Sequence, residues 1–281
     1  MTDETRDGGF DRLGHRGRNG SENGRRIQKM KIIRSVDEWR GEQKSLAGKK
    51  VGFVPTMGGL HAGHASLVEK CRAENDVAVA SVFLNPTQFN DKKDLETYPA
   101  DFSDDCALLE KLGVDYLFAP TYDVMYPDGY RYKVVETDFS KELCGAKRPG
   151  HFDGVLTVVM KLFGIVRPEN AYFGEKDFQQ LELLRGMAKA FFLDVNIVPC
   201  PIVREESGLA ISSRNRRLSA EGLKIAPKFH QILASGAPIA EKKRLLTDAG
   251  FAVDYVTEKD GRLYAAVFLE GVRLIDNVEA Q

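Results

Sequence analysis

The chain has 281 residues, of which 43% are hydrophobic and 29% are charged, and its 40 Lys and Arg against 41 Asp and Glu leave a net charge of −1. The apolar fraction excludes a wholly disordered chain, and the charge balance argues against a protein that binds nucleic acid through a basic surface. No run of about 18 apolar residues predicts a membrane span and no secretory signal is recognisable, so we expect a cytoplasmic protein with neither a membrane nor a nucleic-acid partner.

Residues 1–29 differ in composition from the rest of the chain. They are rich in Gly, Arg and acidic residues, and up to position 26 their only apolar residues are Met1, Phe10 and Leu13. Such a segment buries too little apolar surface to offset the entropy lost on ordering. We predict a disordered extension over residues 1–29, followed by a folded domain that starts at Met30.

From Met30 to about residue 202, short β-rich runs alternate with helical patterns. This alternation predicts an α/β fold, a Rossmann-like doubly wound parallel sheet. The predicted strands are 31–34, 50–54, 77–84, 114–118, 171–173 and 195–198. The predicted helices begin at the Ser35–Glu38 capping box, with Gly48 placed to close the first, and continue with 63–74, 102–112, 154–166 and 176–192.

The character of the sequence changes near Pro201, where a polar stretch is followed by a helical pattern and by two β-rich runs, 251–257 and 263–269. These runs predict a small antiparallel sheet. We therefore predict two domains after the extension: a Rossmann-like domain at 30–202 and a smaller α+β lid domain at 203–281.

The segment 54–64, Val-Pro-Thr-Met-Gly-Gly-Leu-His-Ala-Gly-His, directly follows a predicted strand and leads into a predicted helix. Doubly wound sheets bind ligands at this end of their strands, and a helix N-terminus with nearby glycines favours phosphate. The spacing is not that of a P-loop, because His64 stands where the lysine should be and Ala65 where the Ser or Thr should be. His61 and His64 can instead donate hydrogen bonds to phosphate oxygens.

Three further polar segments follow predicted strands or the end of the sheet. Residues 83–89 carry Gln88, whose amide suits a substrate with hydroxyl and carboxylate groups. Residues 173–180 carry Lys176, a charge for phosphate, and Gln180 one helical turn later. Residues 211–215 offer two hydroxyls and Arg214 in a loop that can close over a nucleotide.

Together these segments resemble the pantothenate synthetase (pantoate:β-alanine ligase) family of the HxGH nucleotidyltransferase superfamily. The matching blocks run in the family's order from about Met30 to Asn277: PTMGxLHxGH, NPxQF, RPGHFxGV, FGEKDFQQL, GLAxSSRN and RLIDN. The chain departs from the family at Ala100, where an arginine is usual, and its C-terminal domain looks shorter than is usual.

The resemblance implies that pantoate and ATP form pantoyl adenylate and pyrophosphate, after which β-alanine displaces AMP to give pantothenate. It also implies Mg²⁺ with ATP, an acidic pair at Asp104 and Asp105, and a homodimer. Because the pantoate carboxylate is ionised at neutral pH, its attack needs positioning and charge stabilisation but no general base. His64, His61, Lys176 and Arg214 are the predicted catalytic residues, with His64 assisting by a hydrogen bond or by proton donation as pyrophosphate leaves.

By the same resemblance, Gln88 and Gln180 hold pantoate or β-alanine. The predicted ATP-binding residues are Met57, Gly58, Gly59, Leu60, His61, Ala62, Gly63, His64, Gly174, Glu175, Lys176, Asp177, Val203, Ile211, Ser212, Ser213 and Arg214. Two alternatives stay open at this point: another HxGH nucleotidyltransferase of coenzyme synthesis, and a non-catalytic nucleotide-binding or RNA-binding module.

Overall fold

The computed structural model describes residues 29–280. The predicted extension at 1–29 therefore lies outside the described residues, except for its last residue. None of the helices in residues 29–280 has the length and apolar character needed to span a bilayer.

A six-stranded sheet forms the first part of the fold. Its strands are β1 (Lys31–Ile33), β2 (Val51–Thr56), β3 (Val77–Val82), β4 (Tyr116–Phe118), β5 (Asn170–Gly174) and β6 (Asn196–Cys200). They lie in the order β1-β4-β3-β2-β5-β6, and every pair is parallel. The predicted Rossmann-like parallel sheet is confirmed, and each predicted strand overlaps an observed one.

Helices cover both faces of this sheet. The helices in this part of the described chain are α1 (Val36–Gln43), α2 (Ala62–Glu74), α3 (Lys92–Glu96), α4 (Phe102–Lys111), α5 (Tyr122–Met125), α6 (Leu143–Lys147), α7 (His151–Val166) and α8 (Phe178–Ala190). One face packs against α1, α7 and α8 around the fully buried Trp39, and the other packs against α2 and α4 around Leu109. Continuous apolar strands such as Phe53-Val54 follow from burial on both faces.

The helix boundaries differ from the predicted ones for local reasons. α1 ends at Gln43 and a 3₁₀ turn continues to Leu46, so Gly48, with φ of 78°, closes that turn. The predicted helix at 176–192 begins as a 3₁₀ turn, Glu175–Asp177, and ends at Ala190, because Phe192 adopts a left-handed φ of 54°. The capping box is present, with the Ser35 side chain accepting from the Glu38 N–H.

A second, antiparallel sheet follows three short helices. The helices are α9 (Ala220–Ile225), α10 (Pro227–Leu233) and α11 (Ile239–Asp248), and the strands are β7 (Ala252–Lys259), β8 (Arg262–Leu269) and β9 (Val272–Glu279). The order is β7-β8-β9, so the two predicted runs pair and a third, unpredicted strand completes the sheet. This part has its own core around Phe229 and Val267. We retain a domain boundary between residues 202 and 203 as a proposal.

Candidate active site

One cavity brings the predicted segments together, and it lies at the carboxyl ends of β2 and β5. In the sheet, β3 lies next to β2 on one side and β5 lies next to it on the other. The strand order therefore reverses at β2, and doubly wound sheets bind ligands at such a topological switch point. Its wall includes the predicted residues Met57, His61, Gly63, His64, Gln88, Gly174, Lys176, Asp177, Gln180, Val203, Ile211, Ser212, Ser213 and Arg214. The other predicted residues, Gly58, Gly59, Leu60, Ala62 and Glu175, belong to the same loops without lining the cavity.

His61 and His64 lie at the N-terminus of α2. His61 is the N-cap, and its Nδ1 accepts from the Gly63 N–H at 3.1 Å, so the ring carries its hydrogen on Nε2. The two rings are 4.1 Å apart between centroids. Burial, with the nearby charge of Lys176, lowers the pKa of His61 to about 4, and burial next to His61 lowers the pKa of His64 to about 3. Both imidazoles are therefore neutral at pH 7 in the free protein.

His64 also has a buried Nδ1 atom with no hydrogen-bond partner within the described residues. A buried polar atom without a partner is unfavourable unless a ligand or water satisfies it. The pair thus offers hydrogen-bonding capacity at the helix N-terminus, where the helix dipole favours an anion.

The loop before His61 is held by Asp105, a residue of α4. The Asp105 side chain is buried, and its two oxygens accept from the N–H of Gly59 at 2.9 Å and of Leu60 at 2.7 Å. A side chain on Gly58 would come within 2.8 Å of this carboxylate, and Gly58 has a φ of 83°. In the sequence, the family resemblance marked Asp105 only as one member of an acidic pair and did not reveal this role. One feature of the sequence does indicate this role. Asp101 is the N-cap of α4, so Asp105 is not needed to cap this helix and can bind another segment.

Gln88 lines the cavity, and the hydrogen bonds around it determine the direction of its amide. The Asn85 Nδ2 donates to the Gly154 carbonyl at 3.2 Å, and because a carbonyl can only accept, the orientation of the Asn85 amide is determined. Its second hydrogen goes to the Gln88 Oε1 at 2.9 Å, while the Asn85 Oδ1 accepts from the Tyr126 hydroxyl at 2.8 Å. The Gln88 NH₂ group is therefore left for a ligand.

Lys176 sits between the two sheets of the molecule. Its Nζ is 3.7 Å from the Asp177 carboxylate. Asn277 of β9 donates through Nδ2 to the backbone carbonyls of Glu175 at 2.9 Å and of Lys176 at 3.1 Å. Arg262, which can only donate, binds the Asn277 Oδ1 at 2.7 Å and so determines the direction of that amide. The C-terminal sheet thus holds the backbone of the predicted catalytic lysine.

The two adjacent glutamines of α8 have different surroundings. Gln180 lines the cavity as predicted. Gln179 is buried and donates to the carbonyls of Phe139 at 2.8 Å and of Glu142 at 3.0 Å, so it connects α8 to the segment before α6.

Arg214 belongs to a 3₁₀ turn, Ser213–Arg217, that closes one side of the cavity. Its Nη2 is 2.8 Å from the Asp94 Oδ2, and Arg217 binds the other oxygen of Asp94 at 2.7 Å. Burial opposes ionisation of Asp94, but the two guanidinium groups outweigh it and lower its pKa. The shared carboxylate ties α3 to this turn and orients Arg214 beside the cavity.

The predicted acidic pair does not form a metal site built by the protein. Asp105 is engaged by the loop N–H groups, whereas Asp104 is exposed in the first turn of α4. Residues 29–280 contain no group of three His, Cys, Asp or Glu side chains arranged to hold a metal ion. We therefore assign no metal ligand among the described residues.

Comparison with known proteins agrees with the family resemblance of the sequence motifs. Residues 28–279 match the family model described as Pantoate-beta-alanine ligase. The chain is 54% identical to a pantothenate synthetase of Bdellovibrio bacteriovorus over 248 residues, which is 88% of this chain and 98% of that protein. It is 49% identical to a pantothenate synthetase of Coxiella burnetii, over 88% of this chain and 96% of that protein. The C-terminal part is thus not shortened relative to these proteins.

Solved structures agree with the sequence matches. A pantoate-beta-alanine ligase from Francisella tularensis, complexed with beta-gamma ATP and beta-alanine, superposes with a TM-score of 0.86 at 40% identity, covering 89% of this chain and 97% of that one. A pantothenate synthetase from Thermus thermophilus superposes with a TM-score of 0.82 at 43% identity, covering 89% of this chain and 99% of that one.

Proposed function

This chain belongs to the pantoate–β-alanine ligase family, and we propose that it joins the two substrates in two steps through a pantoyl adenylate, with ATP consumed and AMP and pyrophosphate released. One observation carries this proposal for the site. The cavity combines neutral amides, Gln88 and Gln180, with phosphate-binding groups at the N-terminus of α2 and at Lys176 and Arg214. The cavity therefore offers hydrogen-bonding groups for a hydroxy acid next to groups for the phosphates of a nucleotide.

In the first step, a carboxylate oxygen of pantoate attacks the α-phosphorus of ATP. The new P–O bond forms as the bond from the α-phosphorus to the bridging oxygen breaks, and pyrophosphate leaves. No proton has to be removed from the carboxylate, so the protein contributes positioning and charge stabilisation. Lys176 and Arg214 supply positive charge, and the Gln88 NH₂ group donates to pantoate.

The histidines act in this step as hydrogen-bond donors. The low pKa values of His61 and His64 mean that neither carries a spare proton at pH 7 in the free protein, which favours the hydrogen-bond role over proton donation. The Nε2 hydrogen of His61 and the unpartnered ring atom of His64 are the available groups. Donors directed at the leaving phosphates stabilise the charge that develops there.

In the second step, the unprotonated amine of β-alanine attacks the acyl carbon of the adenylate. The C–N bond forms, the bond between the acyl carbon and the phosphate oxygen breaks, AMP leaves, and the nitrogen releases one proton to the solvent to give the amide. Gln88 and Gln180 keep the pantoyl group in the same place for both steps. Mg²⁺ bound with ATP would offset the negative charge of the phosphates, and we assign it no protein ligand among residues 29–280.

The experiment that tests this proposal is pantoate-dependent exchange of labelled pyrophosphate into ATP, with β-alanine absent. Exchange that requires pantoate is the expected result, because only a reversible adenylation step produces it. An intact protein that makes pantothenate without such exchange would rule out the adenylate.

We also propose a homodimer and a cytoplasmic location. In support of an assembly, the first domain exposes large apolar side chains, with Tyr132 at 76% and Val135 at 50% exposure. Sedimentation equilibrium of the purified protein tests the dimer, and a monomer at micromolar concentration would contradict it.

A further inference from the structure

Arg148 lies between α6 and α7 and lines two cavities. It lines the main cavity with Gln88 and Gln180, and it also lines a smaller cavity between α8 and the C-terminal sheet. Burial, together with the charge of Arg214, lowers its pKa to about 10, so the guanidinium is still charged at pH 7. Neither of the two proposed reaction steps involves this cation.

The hydrogen bonds of Arg148 leave most of its donors unused. The Gln88 carbonyl can only accept, so the His151 Nδ1 at 2.8 Å carries the hydrogen and the His151 Nε2 accepts from the Arg148 Nη1 at 3.1 Å. The Arg148 Nη2 donates to the same Gln88 carbonyl at 3.2 Å. A guanidinium has five N–H donors, and within residues 29–280 the other three have no acceptor.

Neighbouring cations each have a carboxylate. Lys176 is 3.7 Å from Asp177, Arg214 is 2.8 Å from Asp94, and Arg273 is 2.8 Å from Asp254. Over the described part of the chain, no Asp or Glu lies within ion-pair distance of Arg148. A largely buried charge without a counter-charge is unfavourable, and the planar fork of arginine matches a carboxylate in bidentate fashion.

We propose that Arg148 binds the carboxylate of β-alanine and selects amines that carry one. This inference rests on the proposed function. The nucleotide phosphates have their own partners at α2, Lys176 and Arg214, and the pantoate carboxylate loses its charge when the adenylate forms, so the carboxylate of β-alanine is the remaining anion in the second step. Arg148 binds the backbone of Gln88, and the Gln88 side chain holds the pantoyl group. An amine two methylenes from the carboxylate is then directed toward the acyl carbon.

The test measures the second step alone, as single-turnover aminolysis of enzyme-bound pantoyl adenylate by β-alanine and by β-alaninamide, its uncharged analogue. The wild-type protein should prefer β-alanine by about 10²-fold, the size expected for a charged hydrogen-bonded pair. Arg148→Gln should bring this ratio close to 1, and Arg148→Lys should restore part of it.

The ratio of the rates with β-alanine and β-alaninamide distinguishes recognition of the carboxylate by Arg148 from a purely structural role of this residue. If Arg148 only supports Gln88, the variants slow both amines equally and the ratio stays at its wild-type value, which would overturn the inference. A wild-type protein with no preference between the two amines would overturn it as well. Failure of the proposed function gives a different result, because pantoate-dependent pyrophosphate exchange is then missing in the wild-type protein itself.

Discussion

The carboxylate of Asp105 accepts a hydrogen bond from the backbone N–H of Leu60, 2.7 Å away, and so holds the residue that immediately precedes His61. We expect Asp105→Asn to lower kcat/KM by about tenfold to a hundredfold, because an NH₂ group would then face one of the two loop N–H donors. The matched control is Asp104→Asn, the same change at the exposed neighbour, which should stay within about twofold. Equal losses in both variants would contradict the role given to Asp105.

His64→Ala should lower kcat by about 10²-fold while the KM for ATP changes little, as expected when a donor is lost that acts mainly in the transition state. Steady-state pantothenate formation and pyrophosphate exchange both measure this. A change confined to the KM for ATP would make His64 a binding residue instead.

Arg214→Met should reduce kcat/KM for ATP by about 10²-fold, because this guanidinium lines the cavity where we place the phosphates. Arg217→Met is the control, since Arg217 shares the Asp94 carboxylate but does not line the cavity. It should cost less than about fivefold. If both variants lose activity to the same extent, the ion pair with Asp94 matters more than contact with ATP.

Tyr126→Phe should raise the KM for pantoate by about two- to tenfold, the effect of losing one neutral hydrogen bond in the chain from Tyr126 through Asn85 to Gln88. Tyr122→Phe provides the comparison, because the Tyr122 ring packs against Tyr126 but its side chain is 39% exposed. A shift of the pantoate KM that is no larger in Tyr126→Phe than in Tyr122→Phe would argue against that chain.

Stability should fall between pH 7 and pH 5 partly because of His151, which is only 8% exposed. Burial and then the charge of Arg148 lower its pKa to about 3, whereas the unfolded residue titrates near pH 6.5. Below pH 6.5 the unfolded state therefore binds more protons, and the contribution of His151 decreases by about 2 kcal/mol by pH 5. Urea unfolding of His151→Gln should show a smaller loss between the two pH values. An identical loss in both proteins would mean that His151 is protonated in the native state.

The alternation of strand and helix patterns was sufficient to predict the parallel sheet, because buried strands read as short apolar runs and helices carry apolar residues at three and four spacing. β9 was missed although Val272, Leu274 and Asp276 are its buried alternate positions. That strand begins only three residues after β8 ends, and its buried face includes Asp276, whose carboxylate binds the Arg204 guanidinium and contacts the His230 ring. A charged residue on the buried face conceals the alternation.

The pattern of strands along the chain was sufficient to predict which loops meet, since loops that follow parallel strands necessarily gather at one edge of the sheet, and His61, Gln88 and Lys176 all follow strands. The distant residues that orient these side chains could be identified only from the folded chain: Asp105 for the loop before His61, Asn85 and Tyr126 for Gln88, Asn277 for Lys176. Strand periodicity is a local property of the chain, whereas these hydrogen bonds depend on strand order and on how the two sheets pack, which no local pattern encodes.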